Sequence, residues 1–218
     1  MGQKSLWPLL GQLKDGFVLY GGTAIALRYG HRQSVDFDFF STQPFDPDEL
    51  KAKYDFLQPG KTIQLGTNTL SVLVPARRGE VKFSFFGGLT FGRTGTPDIC
   101  QDNLVRLASS LDLAIQKLKV IRVRSEAKDY LDLDCLLRHG VDLGEAMGAA
   151  EALYPDFPVS VTLRAMTFFE DGEVRHIPKA AKKRLQLQVQ HFVAPIPMKR
   201  LDDQLDLPAP EIEKASGA

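Results

Sequence analysis

The sequence predicts an α+β protein in two lobes, and two observations carry that prediction. The first half holds short segments of alternating polarity punctuated by glycines; the second, from about Asp102, holds apolar residues at helical spacing behind helix-capping residues. Residues 1–101 read as the sheet-bearing lobe and 102–193 as the helical lobe. Residues 194–218, with four prolines and no sustained apolar periodicity, read as a tail that is either loose or laid as a strap on a partner.

In the first lobe, residues 23–29 form a short helix entered through Gly21-Gly22, and residues 34–40 alternate as a strand does. Further strands are expected at 62–65, 69–74 and 80–86, the last two joined by a turn at Pro75-Ala76-Arg77-Arg78-Gly79. In the second lobe Ser109 and Asp112 make an S-x-x-D capping box, and Leu111, Ala114, Ile115, Leu118 and Ile121 recur at helical spacing toward Arg124. Ser125 is placed to cap the next helix, whose apolar stripe is Tyr130, Leu133, Leu136 and Leu137 and whose end is Gly140. Asp142 with Glu145 opens a third helix, residues 159–169 a fourth, and Pro178 a fifth reaching about Phe192.

Composition excludes several classes. Lys plus Arg (27) balance Asp plus Glu (27), so no global positive field draws in nucleic acid, and any RNA contact comes from a local patch. Two cysteines, Cys100 and Cys135, fit packing in a reducing compartment better than a disulfide framework. No stretch approaches the roughly 20 apolar residues of a membrane span, and the first residues lack a basic segment followed by a long apolar one. The expectation is a cytoplasmic protein without a membrane partner. His31, His139, His176 and His191 are scattered without metal-ligand spacing, and neither a G-x-S-x-G elbow nor a Walker loop occurs.

The chemistry concentrates in Gly21-Gly22-Thr23, Arg32, Ser34, Asp36 and Asp38. On a strand, Asp36 and Asp38 share one face about 7 Å apart while Val35, Phe37 and Phe39 fill the other. Two such carboxylates repel unless a cation lies between them, and oxygen ligands beside a polyphosphate favour Mg2+. The glycine pair lets backbone approach phosphate, and a helix start aims free N–H groups at it. Arg32 adds positive charge, and Ser34 can orient a phosphate or tie the turn. Alone, D-x-D is more often a solvated sheet face and Gly-Gly a turn; their ordered combination points to a triphosphate site.

Gly21-Gly22-Thr23-Ala24-Ile25-Ala26-Leu27 followed by Arg32-x-Ser34-x-Asp36-x-Asp38-Phe39 resembles the first motif of the AbiEii/AbiGii toxin-like nucleotidyltransferases, of the polymerase-beta-type superfamily. The resemblance continues through Val81-Lys82-Phe83, Lys117-Leu118-Lys119 and Lys128-Asp129-Tyr130-x-Asp132-Leu133, covering about residues 17–138. It implies a nucleotidyltransferase-fold mixed sheet flanked by helices, followed by a helical lobe. Asp36 and Asp38 would be metal ligands, and Gly21 and Gly22 would lie near the triphosphate. By the same resemblance Lys117 reaches toward phosphate, and Asp129 holds that lysine or assists catalysis. Without it, Lys117 reads equally as the flank of an amphipathic helix and Asp129 as a carboxylate favoured by the helix dipole.

One departure stands out. Such enzymes place a third carboxylate on a neighbouring strand, and here Ser84 falls at that position, with Glu80 a same-parity alternative if the register shifts. A neutral hydroxyl replaces neither a magnesium-ligating carboxylate nor a general base. Three functions follow as expectations: a magnesium-dependent transfer of NMP from an NTP to an RNA or protein hydroxyl; a degenerate relative that binds nucleotide or a partner without turnover; and a toxin-antitoxin or defence component acting by association with a cognate antitoxin.

Overall fold

Alternation and turn residues give the first half its strands, and the computed structural model, which describes residues 3–13, 16–77, 79–100 and 105–206, orders seven strands among them into one mixed sheet. A helical turn, α1 (Gln3–Leu6), and a 3-10 segment (Trp7–Leu13) precede β1 (Val18–Tyr20), which runs directly into α2 (Gly21–Tyr29). β2 (Phe37–Phe40) returns antiparallel to β1. α3 (Pro47–Lys53) is capped by Asp46, whose carboxylate accepts from the N–H groups of Asp48 and Glu49. β3 (Lys61–Gly66), β4 (Thr69–Pro75) and β5 (Glu80–Phe86) then form an antiparallel meander. β6 (Asp98–Ile99) and β7 (Arg106–Leu107) complete the order β3-β4-β5-β2-β1-β7-β6, in which β2/β5 and β1/β7 are parallel.

Strand parity gives the sheet two unlike faces. Phe37, Phe39, Phe83 and Phe85 are buried on one, with Phe37 stacked on Phe83 at 5.0 Å and Phe39 on Phe85 at 5.5 Å. Trp7 and Phe56 pack over them. Burying each such ring stabilises the fold by about 2 kcal/mol. The opposite face carries Tyr20, Asp38, Phe40 and Ser84, aligned by the register Tyr20↔Asp38 and Asp38↔Ser84.

The helical half comprises α4 (Ser110–Val120), α5 (Ala127–Arg138), α6 (Leu143–Leu153), α7 (Val159–Thr167) and α8 (Lys179–His191). Ser109 caps α4 by accepting from the Asp112 N–H at 3.0 Å. The Asp112 carboxylate in turn accepts from the N–H groups of Thr94 and Gly95, at 2.8 and 3.1 Å, fixing α4 to the chain that leaves the sheet. Asp142 caps α6 through the Glu145 N–H as its sequence predicts. No helix among the described residues is long and apolar enough to cross a membrane.

Two local expectations need correction. The strand read at 34–40 starts only at Phe37, because the Thr23 hydroxyl donates to the Asp36 carbonyl and lies 2.9 Å from the Ser34 hydroxyl, drawing this segment onto α2. Val35 consequently turns outward, 61% exposed, instead of joining Phe37 and Phe39. The cap of α5 is Glu126, not Ser125, and it makes no side-chain capping bond; its carboxylate pairs with Arg124 at 3.4 Å and Lys128 at 2.7 Å.

The described part of the tail, 194–206, is a strap on the chain itself. The Ile196 N–H donates to the Gly144 carbonyl at 2.9 Å, and its backbone crosses Gly148 where a Cβ would collide with it. Leu201 and Asp202 exchange backbone bonds with Arg93, and Leu205 is fully buried with its N–H on the Thr42 hydroxyl at 2.9 Å. Asp206 accepts from the Gly16 N–H at 2.9 Å and pairs with Arg106.

Candidate nucleotide and metal site

The junction of β1 and α2 fixes the site. Gly21 has φ +70°, and a Cβ there would strike the Asp38 carboxylate; a Cβ on Gly22 would strike the Arg32 guanidinium and lie 3.2 Å from Asp132 Oδ2. The glycine pair therefore lets an acid and a base lie directly against the helix start. The α2 cap residue, Tyr20, makes no side-chain capping bond. The first N–H groups of a helix lack intrahelical partners and favour an anion.

A cavity of about 450 Å³ opens in front of this junction, lined by Gly21, Gly22, Arg32, Ser34, Asp36, Asp38, Lys82, Lys117, Arg124 and Lys128, and also by Phe40, Phe86, Val120 and Gln116. Asp36, Asp38, Gly21, Gly22, Arg32, Ser34 and Lys117 thus share one cavity. Thr23 and Asp129 are not in its lining: Thr23 is buried with its hydroxyl engaged at Asp36 and Ser34, and Asp129 is buried behind Lys117.

Burial and the nearby Asp36 charge push the Asp38 carboxyl above its ordinary range, although Lys82, Lys117 and the adjacent Ser84 hydroxyl pull the other way. This is a crowded carboxylate pair whose charge the protein only partly offsets. Such a donor set suits a divalent cation. Among the described residues no group of three or more His, Cys, Asp or Glu side chains could hold a metal, so an ion at Asp36 and Asp38 would take its other ligands from water and phosphate, as magnesium does.

The cationic side of the cavity is ordered by Asp132 of α5, to which the sequence alone assigns no role. Its buried carboxylate takes Arg32 Nε at 2.6 Å and Arg32 Nη2 at 2.8 Å, His31 Nε2 at 2.6 Å and Lys117 Nζ at 2.7 Å. Burial alone would raise this carboxyl; the bonds from His31, Arg32 and Lys117 prevail and hold it well below the usual carboxylate range. Arg32 answers with a guanidinium raised by Asp132 against the opposing effect of burial. Lys117 is shared with Asp129 at 2.7 Å, and Asp129 also binds Arg124 Nε at 2.9 Å. Asp129 and Asp132 are three apart on one helix, which puts both on the face toward α4. That spacing is the signal that could have linked Asp132 to Lys117 and Arg32 beforehand.

Ser84 stands opposite Asp38 in register, buried, with its hydroxyl 3.3 Å from that of Ser71. Glu80 pairs with Pro75 in regular register without a bulge in β5, four residues and about 13 Å from Ser84 along the strand, and does not line the cavity. Lys82 does line it, and it forms no salt bridge among the described residues.

The mixed sheet, the glycine-lined helix start and the paired acids facing a cation-lined cavity define a protein of the nucleotidyltransferase fold. The model of the nucleotidyl transferase AbiEii toxin family, of the type IV toxin-antitoxin systems, matches residues 9–209, and the chain belongs to that family. It is 34% identical over 166 residues to an uncharacterised protein of Aquifex aeolicus (strain VF5), covering 75% of this chain and 78% of that one. Among solved structures, a crystal structure from H. pylori assigned to the nucleotidyltransferases superposes with a TM-score of 0.57 at 20% identity, covering 86% of this chain and 91% of the other. MenT4, a nucleotidyltransferase toxin from Mycobacterium tuberculosis H37Rv, superposes with a TM-score of 0.60 at 15% identity, covering 88% and 82%. At those identities the two structures establish a common fold.

Proposed function

We propose that this nucleotidyltransferase toxin moves a nucleoside monophosphate from an NTP to a hydroxyl of RNA or protein in the cytoplasm, with Mg2+ held by Asp36 and Asp38. The observation that supports it most is the under-compensated carboxylate pair, Asp36 and Asp38, facing a cavity whose other wall carries Arg32, Lys82 and Lys117. Bound there, magnesium would neutralise phosphate charge and polarise the reacting phosphoryl group. The chain's own residues supply the rest. Gly21 and Gly22 admit the phosphates to the start of α2, Lys117 and Lys82 offset their charge, and Asp129 and Asp132 hold Lys117 and Arg32 in place. The acceptor oxygen bonds to the α-phosphorus as the bond to the β-phosphate bridging oxygen breaks; pyrophosphate leaves with the electron pair, and the hydroxyl proton passes to water. Incubating purified protein with labelled NTPs, magnesium and RNA or cell extract tests this, with Asp36→Asn as control. Nucleotide binding without metal-dependent label transfer to any acceptor would count against it.

A second reading, nucleotide binding without turnover, is favoured by one specific observation: a buried hydroxyl, Ser84, occupies the register position beside Asp38. In either case family membership points to a cognate antitoxin as the partner that restrains the protein. Co-expression of the neighbouring gene product should relieve any growth arrest that depends on Asp36.

A further inference from the structure

The cavity changes character along β2 and β5. At Asp38 it is polar, and two residues on, about 7 Å along the strand, Phe40 and its register partner Phe86 face it instead. Val120 of α4 lines the same cavity. Phe40 packs against the stacked Tyr20 ring at 4.5 Å and against Phe91 at 6.3 Å, and Phe91 rests on Tyr154 at 5.6 Å, so the wall is continuous with the aromatic packing behind it. Gln116 is the amide at that end. It donates through Nε2 to the Tyr154 hydroxyl at 2.6 Å, while its carbonyl oxygen has no hydrogen-bond partner among the described residues. An aromatic corner, Phe40 edge-on to Phe86, with one tethered amide, set about one sugar's length from a phosphate-compatible end, matches a nucleobase.

We propose that the Phe40 and Phe86 end of the cavity is the nucleobase subsite and that Gln116, tethered by Tyr154, selects the base. The inference rests on the nucleotide reading of the charged end. A glutamine held at one donor presents a fixed acceptor and donor edge, and a base that cannot pair with it leaves that edge desolvated and unsatisfied. The aromatic wall adds affinity for any base, so it raises binding without discriminating.

Calorimetry of the full chain with magnesium and each of ATP, GTP, CTP and UTP, beside inorganic tripolyphosphate, tests the assignment. One nucleotide should bind at least about tenfold tighter than the poorest, the scale of one buried hydrogen bond, and all four should exceed tripolyphosphate. Gln116→Leu should compress the range among the four toward parity. Tyr154→Phe, which keeps the ring and removes the tether, should narrow it partly. A loss in Gln116→Leu that is equal for the four nucleotides and tripolyphosphate, or a preference left intact, would overturn the subsite while leaving the charged end standing. Failure of wild-type protein to bind any of the five ligands would instead overturn the nucleotide reading itself, and this inference with it.

Discussion

Arg32, in the loop after α2, and Asp132, on α5, lie 100 residues apart in sequence and meet through two charge-assisted hydrogen bonds of 2.6 and 2.8 Å. Because Lys117 joins the same carboxylate, one aspartate sets two cations against the cavity, one from the loop after α2 and one from α4. Charge-assisted, bidentate pairs of this kind are stronger and more directional than neutral bonds. Their role here is to fix where positive charge points.

Removing that carboxylate leaves buried cations without their partner. Asp132→Asn should cost about 3 to 5 kcal/mol, measured by urea unfolding at neutral pH. The pH dependence has a definite sign. The folded carboxyl titrates well below the ordinary 3.8, so its contribution is complete above that value and is lost as pH falls below it toward the folded pKa. The stability gap between wild type and variant should close on acidification; a gap constant down to strong acid would refute the role given to Asp132.

Asp38 runs the opposite way. Its carboxyl is raised, so the charged form is disfavoured in the folded protein and weakens the fold above the ordinary value of 3.8. Asp38→Asn should raise metal-free stability by about 1 kcal/mol, the usual scale of a trade between stability and function, while abolishing magnesium-dependent nucleotide binding. In the wild type, that binding should begin to fail on acidification at a pH higher than an ordinary aspartate would impose. Titration calorimetry across pH reads both effects.

Ser84→Asp installs an acid beside Asp38. Like charges on paired strands are unfavourable, so the metal-free variant should melt lower than wild type, and magnesium should recover part of the loss. If the missing acid limits catalysis, label transfer should rise by about a hundredfold, the lower range of general-base contributions. Where the wild type transfers label, unchanged transfer in a variant shown to bind magnesium would mean that its site works without a carboxylate there; transfer by neither protein would support binding without turnover.

The strap offers a test outside the cavity. Leu205→Ala empties a fully buried position and should cost about 3 kcal/mol. Gly148→Ala sets a methyl against the Ile196 backbone and should lift the strap from α6. Limited proteolysis should then cut within 194–206 in both variants and spare the wild type.

Much of this was legible in the sequence, for local reasons. The Asp142 and Ser109 caps, the β4–β5 hairpin and the helix after Gly21-Gly22 are all specified by residues within a few positions of each other. Asp36 and Asp38 do line one cavity, although Asp36 lies outside the strand from which their shared face was read. What escaped depends on distant contacts. β1 and β7 are three and two residues long, too short to show a period, and exist because each completes the other's ladder. Val35 faces outward because a threonine on α2 claims its neighbour's carbonyl. The tail has no periodicity because it packs through isolated anchors such as Leu205, and the Asp132 cluster joins residues from three separate elements.

Asp206 and Gly16 hydrogen-bond across a separation of 190 residues. Closing a loop of that span has an entropic cost, and together with the Ile196–Gly144 bond on α6 this contact ties sheet and helices through the strap. Heating should therefore melt the sheet and the helices in one cooperative event. In a toxin built this way the sheet should not stay folded once the strap has been released from it.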